Sequence, residues 1–152
     1  MGGQVNHPLV AKFRIKPQSK LPTYYNVFIF ADRAAMHLFW REQSAMWGEN
    51  EKNLTFAAQA SSWRTERIEK TGKTRHGNNI GQVIFCLERL GVSIVSHEMT
   101  HLALFYVRDH LGKHIQSHKS DELIAQVQGD LTAKFYRQFW KRGIDKIVTA
   151  GR

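Results

Sequence analysis

The apolar positions of the chain change period several times, and each change marks an element. Tyr24 to Phe30 is a run of aromatic and β-branched residues that suits a buried strand. From Asp32 the spacing becomes helical. Asp32 is placed to cap a helix that runs to about Trp47, with Ala35, Leu38, Phe39 and Met46 as its apolar stripe and Gly48 as its stop. Leu54 to Ala60 predicts a second strand, and Ser61 to Asn79 is polar and ends in the turn-rich His76-Gly77-Asn78-Asn79. Gly81 to Leu87 is the clearest strand pattern. A short turn around Arg89 to Gly91 then leads into a helix on which Val95, Met99, Leu102 and Tyr106 share one side. After a loop from Gly112 to Ser120, a helix capped by Ser120 or Asp121 runs from Glu122 to about Trp140, with a stripe of Leu123, Ile124, Val127, Leu131 and Phe135. A second, narrow face of that helix holds Glu122, Ala125, Gln126 and Gly129, small enough for a neighbouring helix to come close. Met1 to Pro22, broken by Pro8, Pro17 and Pro22, reads as an irregular basic lead-in.

This order of elements predicts an α+β fold around a small mixed sheet. With 152 residues, 42% of them hydrophobic, one domain spanning residues 1–152 can bury its own core. No apolar run reaches the roughly 20 residues of a membrane span, and Met1 to Lys20 has no apolar stretch of the signal-peptide kind. The expected setting is therefore cytoplasmic, without a membrane. Cys86, the only cysteine, has no partner for an internal disulfide or a cysteine-type zinc site and reads as a small apolar strand residue. The formal charge of +9 gathers in Lys12 to Lys20, in Arg64 to Arg75 and near the C-terminus at Lys134, Arg137, Lys141, Arg142, Lys146 and Arg152. Such a surface can attract a nucleic acid or an acidic protein, or it can simply be solvated. No zinc finger, RNP-type motif or glycine-rich phosphate loop accompanies it.

The chemistry concentrates in His97-Glu98-Met99-Thr100-His101, an HExxH pattern within an apolar run. On a helix, residues four apart lie about 40° from each other around the axis and one turn up, so both imidazoles can reach one metal ion. Zinc suits two neutral imidazoles. Glu98 then flanks them as a general base toward a water activated by the metal. A catalytic zinc wants a third protein ligand. The extended pattern HExxHxxGxxH fails, because Leu104 and Val107 stand where a glycine and a histidine are needed, and His110 lies about 180° around the helix from His101. Glu122, opening the next helix, is the preferred third ligand, and His114 and His118 in the preceding loop are the alternatives. His118, His114, Tyr106 and Tyr136 are also candidates for a transition-state donor.

HEMTH followed about twenty residues later by DELIAQVQG resembles the gluzincin layout, in which a second helix supplies a glutamate ligand, and Glu122 matches that position. DELIAQVQGDLTAKF is similar to small HExxH zinc peptidases encoded by phages and prophages; the resemblance covers Gly81 to about Trp140. Gln126 departs from the larger gluzincins, which place there a carboxylate that orients a zinc histidine. HEMTHLALF is also similar to the start of the SprT-like proteases, which act on proteins bound to DNA and take a later histidine as third ligand, here His114 or His118.

These resemblances imply a minimal zincin: a small mixed sheet, an HExxH helix, and a following helix that brings Glu122 to His97 and His101. They imply Zn²⁺-dependent hydrolysis of a protein or peptide, with Glu98 taking the proton. An extended substrate can add to the strand beside the motif helix if that strand, Gly81 to Leu87, is an edge; it is equally readable as an interior strand paired on both sides. The contrasting expectation is a non-enzymatic, zinc-stabilised basic protein that blocks a nucleic acid or an acidic protein partner.

Overall fold

The computed structural model describes residues 9–46, 56–63, 66–67, 74–75, 77–112 and 118–150, with the backbone alone for 45–46, 66–67, 74–75, 118 and 148–150. The strands are β1 (Leu9–Ile15), β2 (Tyr24–Phe30), β3 (Ala58–Ser62), β4 (Glu66–Arg67), β5 (Thr74–Arg75) and β6 (Asn79–Cys86). The helices are α1 (Arg33–Met46), α2 (Val92–Phe105), α3 (His118–Lys141) and α4 (Ile144–Ala150). A 3-10 turn, Leu87–Arg89, precedes α2, and a π-helical turn, Tyr106–His110, extends it.

Four strands form a mixed sheet in the order β1-β2-β6-β3, and β4 pairs with β5 as a small separate ribbon. β1 runs antiparallel to β2, β2 parallel to β6, and β3 antiparallel to β6. The chain is thus mixed α+β, as its pattern predicts.

Alternation along the central strands divides the core in two. Val27, Ile29, Val83 and Phe85 face one side, where they pack with Val95, Met99 and Leu102 of α2 and with Val127, Leu131 and Phe135 of α3. Phe28, Phe30, Ile84 and Cys86 face the other, against Ala35, Met36 and Trp40 of α1. Asp32 caps α1 as expected, its Oδ1 accepting from the Ala35 N–H at 2.8 Å. The expected stop at Gly48 and the start of the second strand at Leu54 lie outside the described residues.

Two expectations need correction. The lead-in is not irregular throughout: Leu9–Ile15 is a strand. Ala11, Phe13 and Ile15 point inward and Lys12 and Arg14 outward, so an edge strand was present in the pattern beneath its basic charge. Within Ser61 to Asn79 there is strand as well, since β3 runs on to Ser62 and β4 and β5 follow. Of the two readings of the strand before the motif helix, the interior one holds: β6 is paired with β2 on one side and β3 on the other. The edge beside the motif helix belongs to β3.

Candidate metal centre

α2 is positioned by its apolar side. Val95, Met99 and Leu102 are fully buried, and Tyr25 of β2 donates its hydroxyl to the Leu102 carbonyl at 3.3 Å, fixing the helix across the sheet. With that face committed inward, His97 is exposed and His101 half-buried on the flank. Their Nε2 atoms lie 3.1 Å apart, with ring centroids separated by 4.7 Å. Two nitrogens on one tetrahedral zinc, each about 2.0–2.1 Å from it, are about 3.3 Å apart, so the pair has the spacing that a shared metal requires. The same distance lets one imidazole donate to the other when no metal lies between them.

Glu98 is more deeply buried than either histidine. It is only 6% exposed and sits against the edge of the sheet, where the nearby Ala60 backbone amide favours its charged form. The ladder explains why that donor is available. Trp63 N–H donates to the Ile80 carbonyl, so alternate residues Ala58, Ala60 and Ser62 direct their backbone groups away from β6. Burial pushes the Glu98 carboxyl above its usual range, and the neighbouring His101 and His97, with the Ala60 amide, oppose the rise. A carboxylate moved in this direction is better matched to proton exchange near neutral pH than an exposed one.

α3 lies against α2 in the opposite direction. Gln128 donates to the Ser96 hydroxyl at 3.2 Å, next to His97, while the connection between the helices joins the other ends of both. Glu122 is about 9 Å along α3 from Gln128 and His101 about 7.5 Å along α2 from Ser96, which sets them at similar heights. Glu122 is nevertheless exposed, and among the described residues no third His, Cys, Asp or Glu joins His97 and His101 in a group that could hold a metal ion. The small face also differs from expectation. Ala125 and Gly129 are exposed, with open space around Gly129, because the larger apolar stripe of Val127, Leu131 and Phe135 takes the helix's one buried side.

The other candidates are dispersed. Tyr106 is buried and donates its hydroxyl to Gln18 at 2.8 Å, which ties it to the loop after β1. Tyr136 stands among Phe135, Phe139 and Trp140, about 12 Å along α3 beyond the Gln128 contact. His114 lies outside the described residues, as does the side chain of His118 at the start of α3. The Ala60 amide was not foreseen, since a backbone donor has no residue type to announce it. The one available signal is the small pair Ala58 and Ala60, which lets α2 approach β3 closely.

The donor chemistry at His97 and His101 fits zinc, and the Glu98 carboxyl lies close enough to feel the charge of both. No family model matches the chain, and no curated protein or solved structure matches it either.

Proposed function

We propose that the chain is a zinc-dependent peptidase of the minimal zincin type, related to the phage and prophage HExxH proteins that its sequence resembles. The observation that carries this reading is the pair of Nε2 atoms 3.1 Å apart on successive turns of α2, with a buried carboxylate between them in sequence. His97 and His101 would hold the ion, and Glu122, level with His101 on α3, is our choice for the third ligand. Bound there, zinc would supply Lewis acidity that lowers the pKa of water to about 7 and polarises a carbonyl. Glu98 takes a proton from the attacking water and returns it to the leaving amine, and burial and the Ala60 amide keep its carboxylate in one position for both transfers. The outward backbone groups of Ala58 and Ser62 on β3 offer main-chain partners to an extended peptide beside that carboxylate.

The test is cleavage of an unfolded protein such as casein by the zinc-loaded chain and by Glu98→Gln. The wild type should cleave it, and the variant should keep its zinc and fold while slowing by about 10²–10⁴-fold. Undiminished cleavage by Glu98→Gln, or loss of its zinc, would overturn the assignment of Glu98 as the base.

A further inference from the structure

α3 has a second flank, turned away from the histidines, that bounds a cavity of about 530 Å³. The opposite wall is the loop from Pro17 to Leu21, and the helix contributes Leu123, Asp130 and Lys134 among others. Lys134 Nζ donates to the Lys16 carbonyl at 2.6 Å, which closes one end of the cavity and brings β1 and α3 together. Packing of Phe13 on Phe135, with ring centroids 5.8 Å apart, holds the same junction. Positive charge accumulates here. Lys134 is repelled by Arg137 and by Lys16 and attracted by Asp130, and Lys20 and Asp130 also line the cavity. One turn beyond Arg137, Lys141 and Arg142 continue the band, with Arg142 over the Phe13 ring at 5.3 Å.

Within this band stands Trp140, 65% exposed, with its ring 5.6 Å from Tyr136. The indole ends an aromatic cluster through Tyr136, and on the same helix the exposed Arg137 lies one turn before it and the exposed Lys141 follows it. A row of like charges held together by the fold is suited to a polyanion, because each phosphate neutralised releases a counterion. An aromatic ring accessible among those charges adds a stacking platform, which only unpaired bases can use. Anionic lipid headgroups would also use the charge, and an indole can lie at their interface, but they offer its face no base to stack on, so vesicles are the arm that tests that alternative.

We propose that this groove and the adjoining end of α3 bind single-stranded nucleic acid. Lys20, Lys134, Arg137 and Lys141 follow the phosphates, and Trp140 stacks on a base. This is independent of the peptidase reading, because none of these residues belongs to the metal centre.

The test uses the full chain and a fluorescein-labelled (dT)20, with (rU)20, a duplex of equal length and anionic vesicles of phosphatidylserine and phosphatidylcholine as comparison arms. Anisotropy should report binding at 50 mM salt that weakens linearly in log–log form as salt rises, together with quenching of tryptophan emission. Arg137→Glu with Lys141→Glu should weaken binding by tenfold or more. Trp140→Ala should weaken it by about fivefold or more and abolish the part of the quenching that the wild type alone shows. Equal responses to (dT)20 and (rU)20 support the shared single-strand chemistry, and a preference between them identifies the source. Absence of binding at 50 mM salt, equal affinity for the duplex, binding to vesicles alone, or affinities unchanged in both variants would each overturn the proposal. Circular dichroism of the variants separates misfolding from lost contacts, and Trp140→Phe, which keeps a ring, should recover most of the affinity.

Discussion

At Gly81 the backbone leaves no room for a side chain. A Cβ there would run into the Ser61 carbonyl and the ring of Tyr25, at the point where the β2–β6 register slips. The φ of +159° adds strain for any L-residue. Gly81→Ala should therefore cost about 1–3 kcal/mol, measured as a shift of the denaturant midpoint without a change in slope. Cys86 is fully buried, and its thiol is pushed up by burial, so it should resist iodoacetamide in the native chain and react only on unfolding. Rapid native labelling would contradict the two-sided core. For the third zinc ligand, Glu122→Gln should weaken zinc binding by more than the 10–100-fold typical of residues that only orient a ligand. His118→Ala should cost less, and the reverse order in a chelator titration would transfer the role to His118 and favour the SprT-like layout. The histidines and Glu98 were readable because HExxH is complete within one helix. Glu122 could be nominated but not positioned, because its reach to His101 depends on how α3 rotates against α2.

Elements were legible where a period was strong and obscured where charge dominated. β2, β6, α2 and the buried stripe of α3 follow from spacing alone, since each presents an apolar face with the repeat of its own geometry. The extent of α1 follows too, but not its face: Ala35, Met36 and Trp40 are buried, while Leu38 of the expected stripe is exposed. β1 was hidden because Lys12, Arg14 and Lys16 drew attention away from Ala11, Phe13 and Ile15 between them. Whether β6 lay at an edge could not be read, because pairing partners come from distant parts of the chain. The outward turn of the Ala125 and Gly129 face has the same cause: with one core available, the wider stripe took it. α3 is the element that joins the rest. Phe135 meets Phe13 of β1 and Phe85 of β6, at 5.8 and 5.3 Å between centroids, and is fully buried. Phe135→Ala should cost about 3–5 kcal/mol, which thermal unfolding would show as a fall of roughly 6–20 °C in Tm. A fall of a degree or two would mean that α3 is not anchored through this ring.

In the whole molecule the sheet separates α1 from α2 and α3, which hold the candidate metal centre, and α3 has two distinct flanks. One meets the motif helix through Gln128 and Ser96, and the other bounds the basic groove through Lys134. Among the described residues no helix is long and apolar enough to cross a membrane. A metal held between α2 and α3 would bind the folded chain and not the unfolded one, so zinc should raise Tm in a concentration-dependent way. The proposed zinc pair, His97 and His101, is read out by the metal content of the purified chain. Elemental analysis should find about one zinc ion per folded wild-type chain and almost none in a folded His97→Ala. A native, well-folded wild-type chain that carries no zinc and takes up none from a buffered zinc solution would mean that the two histidines are not a metal site.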